Sequence, residues 1–223
     1  VRDYDLNEIK FDAASGRYRF QKIYRARRPA ARKLAHEFVA DFIFRFTGNR
    51  GVSQSRIAFA NDAAGSKEIY LIDYDGENLR KLTSDKNLAL LPRWSPDGKE
   101  LVYTGYRQNN PDLYAYSFEE GKSRAISSRR GLNSAASFSP DGKEMVLTLS
   151  YQGAPNLYLL NRKGEIIRRL TKGKFADTSA SFSADGRKII FVSDRPGWPQ
   201  IYMMESDGGH QERLAESGYS VLV

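Results

Sequence analysis

The chain has 223 residues, 40% hydrophobic and 28% charged, the balance of an ordinary globular protein long enough to bury a sizeable core. It has no cysteine, which excludes a disulfide framework, a Cys-ligated zinc and a thiol nucleophile. No run approaches the roughly 20 apolar residues of a membrane helix, and the N-terminus lacks the pattern of a signal peptide.

The formal net charge of +8 is unevenly placed: residues 1–56 hold 13 Lys/Arg against 6 Asp/Glu, and residues 57–223 hold 22 against 21. A nucleic-acid reading therefore rests on the N-terminal quarter alone, chiefly on Tyr24, Arg25, Ala26, Arg27, Arg28, Pro29, Ala30, Ala31, Arg32 and Lys33. Such a run is more often a solvated helix entry, and the steep salt dependence of phosphate binding is the test that separates the two.

Arg17, Tyr18, Arg19 and Phe20 read as part of a strand. Pro29 sits where a helix would begin. Leu34, Phe38, Phe42 and Phe46, with Val39 and Ile43 beside them, predict an amphipathic helix over residues 29–47 closed by Gly48. Residues 1–50 thus read as the C-terminal part of a small α/β domain. His36 on that helix is expected to make an interdomain contact rather than to act as a base, since the other histidine, His210, is far along the chain in a turn.

Residues 51–223 repeat at an offset of 44: Ser95-Pro96-Asp97-Gly98 recurs at Ser139 and, as Ser-Ala-Asp-Gly, at Ser183, preceded by Trp94, Phe138 and Phe182. Self-similarity at such a period identifies a repeat architecture. Tyr70, Tyr114, Tyr158 and Tyr202 keep the same step, as do Leu82, Ile126, Leu170 and Leu214. Each unit reads as four short strands separated by turn residues. In the third unit these are a short inner strand around Ser137, Phe138 and Ser139, then residues 144–148, 156–160 and 165–170, with Pro140-Asp141-Gly142 in the first turn. The fold class is therefore an all-β propeller, with about four blades in this chain, preceded by the end of the α/β domain. Residues that recur once per blade spread around an axis instead of converging. The tyrosines are accordingly expected in packing between blades, and Asp97, Asp141 and Asp185 in turn hydrogen bonds. Unit one lacks an inner aromatic-Ser-Pro strand, and the sequence ends where a fifth unit would begin, so the native protein is expected to continue past Val223.

Arg32-Lys33-Leu34-Ala35-His36-Glu37-Phe38-Val39-Ala40-Asp41-Phe42-Ile43-Phe44-Arg45-Phe46-Thr47-Gly48, followed by Arg56-Ile57-Ala58-Phe59 and the aromatic-Ser-Pro-Asp-Gly blades, resembles the TolB family. TolB is the soluble periplasmic component of the bacterial Tol-Pal cell-envelope system. The resemblance covers nearly the whole chain, with the helix-to-propeller junction its most specific part. It implies a six-bladed propeller behind an α/β domain in the full protein, a periplasmic location, and no cofactor. It also implies binding of the peptidoglycan-associated lipoprotein at one mouth of the channel, contact with other Tol proteins, and capture of some members by bacteriocins. The resemblance carries nothing over to this sequence for the N-terminal extension that meets the inner-membrane Tol proteins.

Propeller connectivity puts fourth-to-first and second-to-third loops on one face and the Asp-Gly turns on the other. The residues before each inner aromatic line the partner site in the TolB pattern, which here implies Leu132, Asn133, Ser134 and Ala135, then Asp177, Thr178 and Ser179, with residues 88–91 in the same place in unit two. The family's histidine and proline near Leu132 and Ala136 are absent. Arg107, Asn109, Tyr151, Gln152, Asp194, Arg195 and Trp198 fall in second-to-third loops on that face. Trp198 has two readings, an interface anchor or packing on its own loop. A competing reading is the gating propeller of a prolyl-oligopeptidase-like hydrolase. The sequence carries no Gly-x-Ser-x-Gly elbow, no histidine placed to serve a serine and no His-x-x-x-His pair, so neither a catalytic nor a metal site is expected.

Overall fold

The computed structural model describes residues 4–6, 10–12, 17–19, 24–26, 30–63 and 65–214. The chain divides into two compact units, Val1–Ile57 with Leu71–Leu79, and Ala58–Tyr70 with Arg80–Val223. Arg27, Arg28 and Pro29 of the basic run, Phe20, and the chain end at Val223 lie outside the described residues.

In the first unit, β1 (Tyr4–Leu6) pairs antiparallel with β4 (Tyr24–Ala26), and β2 (Lys10–Asp12) with β3 (Arg17–Arg19). Helix α1 runs over Ala31–Thr47 and ends at Gly48, whose φ of 72° is the left-handed conformation glycine adopts without a Cβ penalty. Its apolar stripe is real but only partly covered. Leu34 and Ala40 are buried, the Phe42 and Phe46 rings meet at a tilt with centroids 4.7 Å apart, and Phe44 and Phe46 remain exposed. Arg32 and His36 both reach the turn after β6 (Glu68–Asp73): Arg32 Nε donates to Asp75 at 2.8 Å, an Arg32 Nη2 pairs with Asp73 at 2.9 Å, and His36 Nε2 lies 2.7 Å from Asp75. The Arg32 guanidinium holds the Asp75 carboxyl well below its usual range. Arg32, from the basic run, is thus committed to an ion-pair cluster, and His36 makes a structural contact with this turn.

The blades follow in chain order. Blade 1 has three strands, β5 (Arg56–Asn61), β6 and β7 (Arg80–Lys81). Blade 2 comprises β8 (Ala89–Trp94), β9 (Glu100–Gly105), β10 (Asp112–Ser117) and β11 (Lys122–Ser127). Blade 3 comprises β12 (Asn133–Phe138), β13 (Glu144–Leu149), β14 (Asn156–Asn161) and β15 (Ile166–Arg169). Blade 4 comprises β16 (Asp177–Phe182), β17 (Lys188–Ser193), β18 (Gln200–Glu205) and β19 (Glu212–Arg213). Each of the last three is a four-stranded antiparallel meander in sequence order. The inner strands are longer than the three residues the sequence suggested, because pairing begins at Asn133 and Asp177.

Blades 2 and 3 each pack one face on the preceding blade and the other on the next. Val102 and Leu113 of blade 2 share a cluster with Phe138, Leu147 and Tyr158 of blade 3, while Val146, Leu157 and Leu159 of blade 3 share another with Ile189 and Phe191 of blade 4. The repeated tyrosines take part in these layers and also pair across strands within their own blade, Tyr114 opposite Tyr103 and Tyr202 opposite Phe191. The repeated aspartates close turns: Asp97 accepts from Ser95 Oγ at 2.6 Å and from the Lys99 amide at 3.1 Å, and Asp141 and Asp185 repeat the pattern.

Backbone also meets backbone between blades. A Cβ on Gly164, at φ 88°, would lie 1.9 Å from the Ile126 carbonyl oxygen, whereas one on Gly121, at φ 66°, would meet nothing within 4 Å. Gly121→Ala should therefore lose only the left-handed penalty of about 1–2 kcal/mol, while Gly164→Ala, which must also push blade 3 off blade 2, should lose clearly more. Urea denaturation compares them, and equal losses would show that the two blades do not approach as described. Leu147→Ala, wholly buried in the same layer, should lose about 2–5 kcal/mol.

Candidate protein-binding face

The loops that enter each inner strand and those that join second to third strands lie together. Asn133 N donates to the Pro111 carbonyl at 2.9 Å, Tyr106 N to Leu88 O at 2.9 Å, and Ser150 N to Leu132 O at 3.1 Å. The Asp-Gly turns are at the other strand ends, where Arg162 of blade 3 reaches Asp97 of blade 2 at 3.0 Å. The two-face arrangement follows directly from the alternation of a four-stranded meander.

Each inner strand carries a β-bulge at the same place. Register shifts between Leu90 and Arg93, Ser134 and Ser137, and Thr178 and Ser181. Within each, a non-glycine residue is left-handed: Leu91 at φ 55°, Ala135 at 55° and Ser179 at 53°. Such a conformation costs about 1–2 kcal/mol per residue and persists only where surrounding packing imposes it. The three bulges converge on a narrow cavity of about 50 Å³ lined also by Arg93, Ala136, Ala180 and Ser181. Small residues at Ala136 and Ala180 let the strands approach there.

The ten expected contact residues divide by burial. Ala135 and Ser179 line the cavity, with Leu132, Ser134 and Thr178 partly exposed beside them. Trp198 is 59% exposed. Leu91, Leu88 and Tyr151 add exposed apolar surface at 43%, 38% and 36%. Asn133 and Asp177 are instead buried, at 0% and 1%, so their side chains shape the face from beneath. They begin β12 and β16 in place of preceding them. Asn133 accepts from Ser127 Oγ at 2.6 Å and from the Arg129 amide at 3.0 Å, and its amide group donates to the Pro111 and Gly131 carbonyls. It thereby ties a loop of blade 2 to the entry of blade 3.

Arg107 and Arg195 occupy one repeat position, and Tyr151 stands between them in blade 3. All three lie over the repeated tyrosine of their blade: Arg107 4.3 Å above Tyr114, Tyr151 5.7 Å from Tyr158, and Arg195 5.2 Å above Tyr202. Arg107 also pairs with Asp85 at 2.9 Å and donates to Tyr103 Oη at 2.6 Å, and Arg195 pairs with Asp177 at 3.2 Å. Burial pushes the Tyr103 phenol up to about 12, so it stays neutral beneath Arg107. These arginines present a partly exposed guanidinium in a fixed pose, which lowers the entropy lost when a partner docks. Leu91 falls in the expected 88–91 stretch, whereas Arg93 and Ser181, which also line the cavity, were not expected, because no residue type announces the bulge that turns them there.

The described residues hold no group of three or more His, Asp or Glu suited to a metal ion, and no described helix is long and apolar enough to cross a membrane.

The TolB β-propeller domain family matches residues 44–222. The Tol-Pal system protein TolB of Desulfosudis oleivorans is 40% identical over 103 residues, 46% of this chain and 24% of that protein. A TolB crystal structure from Acinetobacter baumannii superposes with a TM-score of 0.79 at 32% identity, covering 93% of this chain and 53% of that one. The structure of a TolB assignment from Agrobacterium tumefaciens gives a TM-score of 0.67 at 27% identity, over 72% of this chain and 61% of that one. The chain thus aligns with about a quarter of that curated relative and spans about half of the first solved structure.

Arg195→Met should strand the buried Asp177 carboxylate and destabilise the chain by about 1.5–3 kcal/mol. Adding Asp177→Asn should return part of that loss. A double-mutant cycle by urea denaturation reads the coupling, and strictly additive losses would mean the pair does not hold the blade 4 loops.

Proposed function

This chain belongs to the TolB β-propeller family, and from that premise we propose that it is a non-catalytic protein-binding scaffold of the Tol-Pal cell-envelope system. It works in the periplasm and takes the peptidoglycan-associated lipoprotein on the loop face, at one mouth of the propeller channel. Other Tol proteins are further partners, and bacteriocins reach the same surface. In this reading residues 1–50 end a small α/β domain and residues 51–223 carry the binding propeller.

The observation that carries the proposal is the convergence of three strained bulges on one narrow cavity, on the loop face that also carries the exposed Trp198, Leu88 and Tyr151. Strained non-glycine residues cluster where a scaffold holds a surface ready for a ligand. Large aromatic and arginine side chains dominate interface energy, and here Arg107 and Arg195 are already held over tyrosine rings and ion-paired. The opposite face repeats one turn chemistry in blades 2, 3 and 4. Asp97, Asp141 and Asp185 are committed to those turns and His36 to Asp75, which supports a scaffold over a catalyst.

Trp198→Ala and Thr178→Arg should each weaken binding of the lipoprotein's soluble domain by about 30-fold or more, the scale of an interface hot spot. Lys99→Ala, beside an Asp-Gly turn on the other face, should leave it unchanged. Isothermal calorimetry gives the answer. A control that weakens binding as much as the two face variants, with all three equally stable, would place the site elsewhere.

A further inference from the structure

The turn face, which the proposed function does not use, differs from blade to blade at one position, the residue just after the third strand. Phe118, Arg162 and Ser206 stand 44 residues apart there. Phe118 stacks on the inner aromatic of its blade, Trp94, at 5.0 Å. Arg162 likewise lies over Phe138, at 5.5 Å, and reaches on to blade 2, pairing with Asp97 at 3.0 Å and Glu100 at 3.2 Å. An aromatic plane and two carboxylates thus form a socket between blades 2 and 3, and a guanidinium of this chain fills it.

Between blades 3 and 4 the same socket recurs with the same three walls: Asp141 and Glu144 in the places of Asp97 and Glu100, and Phe182 in that of Phe138. Ser206 is too short to enter it. A cleft of about 480 Å³ opens there, lined by these residues and by Asp185 and Arg168. The nearby cations do not close it. Lys143 lies 3.4 Å from Asp141 but is 81% exposed, and Arg168 donates to the Asp207 carbonyl at 3.1 Å. In the filled socket Arg124, at the place of Arg168, pairs with Glu100 at 2.9 Å alongside Arg162, so the carboxylate accommodates two guanidinium groups.

We propose that the cleft between blades 3 and 4 is a docking site for an arginine side chain presented by a partner polypeptide. The guanidinium takes the pose Arg162 holds one blade earlier, its plane against Phe182 and its N–H groups donating to Asp141 and Glu144. Arginine is favoured over lysine because only the planar fork satisfies a stacking surface and two carboxylates together. The site lies at the opposite strand ends from the loop face, so both surfaces can be occupied at once.

The test is a titration of the isotope-labelled full chain with Nα-acetyl-arginine amide, followed by amide NMR shifts. Saturable shifts at Asp141, Glu144 and Ser206 with a millimolar dissociation constant are expected, the scale of one charge-assisted contact. Nα-acetyl-lysine amide should bind several-fold more weakly, and Glu144→Gln should weaken the arginine derivative by about tenfold. Ser206→Arg should fill the socket from within, abolishing the titration while raising the melting temperature. Absence of saturable shifts, equal binding of the lysine derivative, or an undiminished titration in Ser206→Arg would overturn the proposal. Concentration-dependent dimerisation abolished by Ser206→Arg would also overturn it, by placing a second copy of this chain in the cleft.

Discussion

The propeller depends on the apolar layer between successive blades. A four-stranded sheet has two faces, and in blade 3 both are covered. Leu147 and Leu160 pack toward blade 2, and Val146, Leu157 and Leu159 toward blade 4. A lone blade of this size could not bury both faces, so blades stabilise one another in series. The close backbone approach at Gly164 and the left-handed bulges at Leu91, Ala135 and Ser179 are tolerated because these layers fix the strands on either side. Without that layer the bulges would relax and the channel mouth would lose its shape.

That constraint also explains why the two ends of the strands differ in kind. The Ser-Pro-Asp-Gly turns need one hydrogen-bonding solution, the serine hydroxyl and the following amide on a single aspartate oxygen, and each of the last three blades supplies it. The loop ends have no such demand. They carry an arginine, a tyrosine and an arginine on the same tyrosine platform. Variation above an invariant platform is how a repeat scaffold acquires a specific surface. On the turn face the side chain that caps the inner aromatic is free to change, from Phe118 to Arg162 to Ser206, and the last change opens a cleft.

The repeat, the blade class and the two faces were legible in the sequence because they rest on period and turn chemistry. The family resemblance added the expected mouth. What could not be read was finer. Asn133 and Asp177 stand where a loop was expected, yet pairing starts on them and buries them, since a polar residue that hydrogen-bonds beneath a loop looks in sequence like one that faces solvent. The bulges were hidden because leucine, alanine and serine carry no left-handed signature. Ser206 was visible as a serine, but its meaning depends on knowing that Arg162 spans two blades to Asp97 and Glu100.

We propose lipoprotein binding at the mouth built from the bulged strand entries and the second-to-third loops. Hydrogen exchange of the full chain, with and without the lipoprotein's soluble domain, tests this across the whole backbone at once. The account predicts slowed exchange in residues 88–91, 132–135, 177–179 and 194–199, with residues 96–99, 140–143 and 184–187 unchanged. Protection confined to those three Asp-Gly turns, or absent from the loop segments at saturating partner, would contradict it.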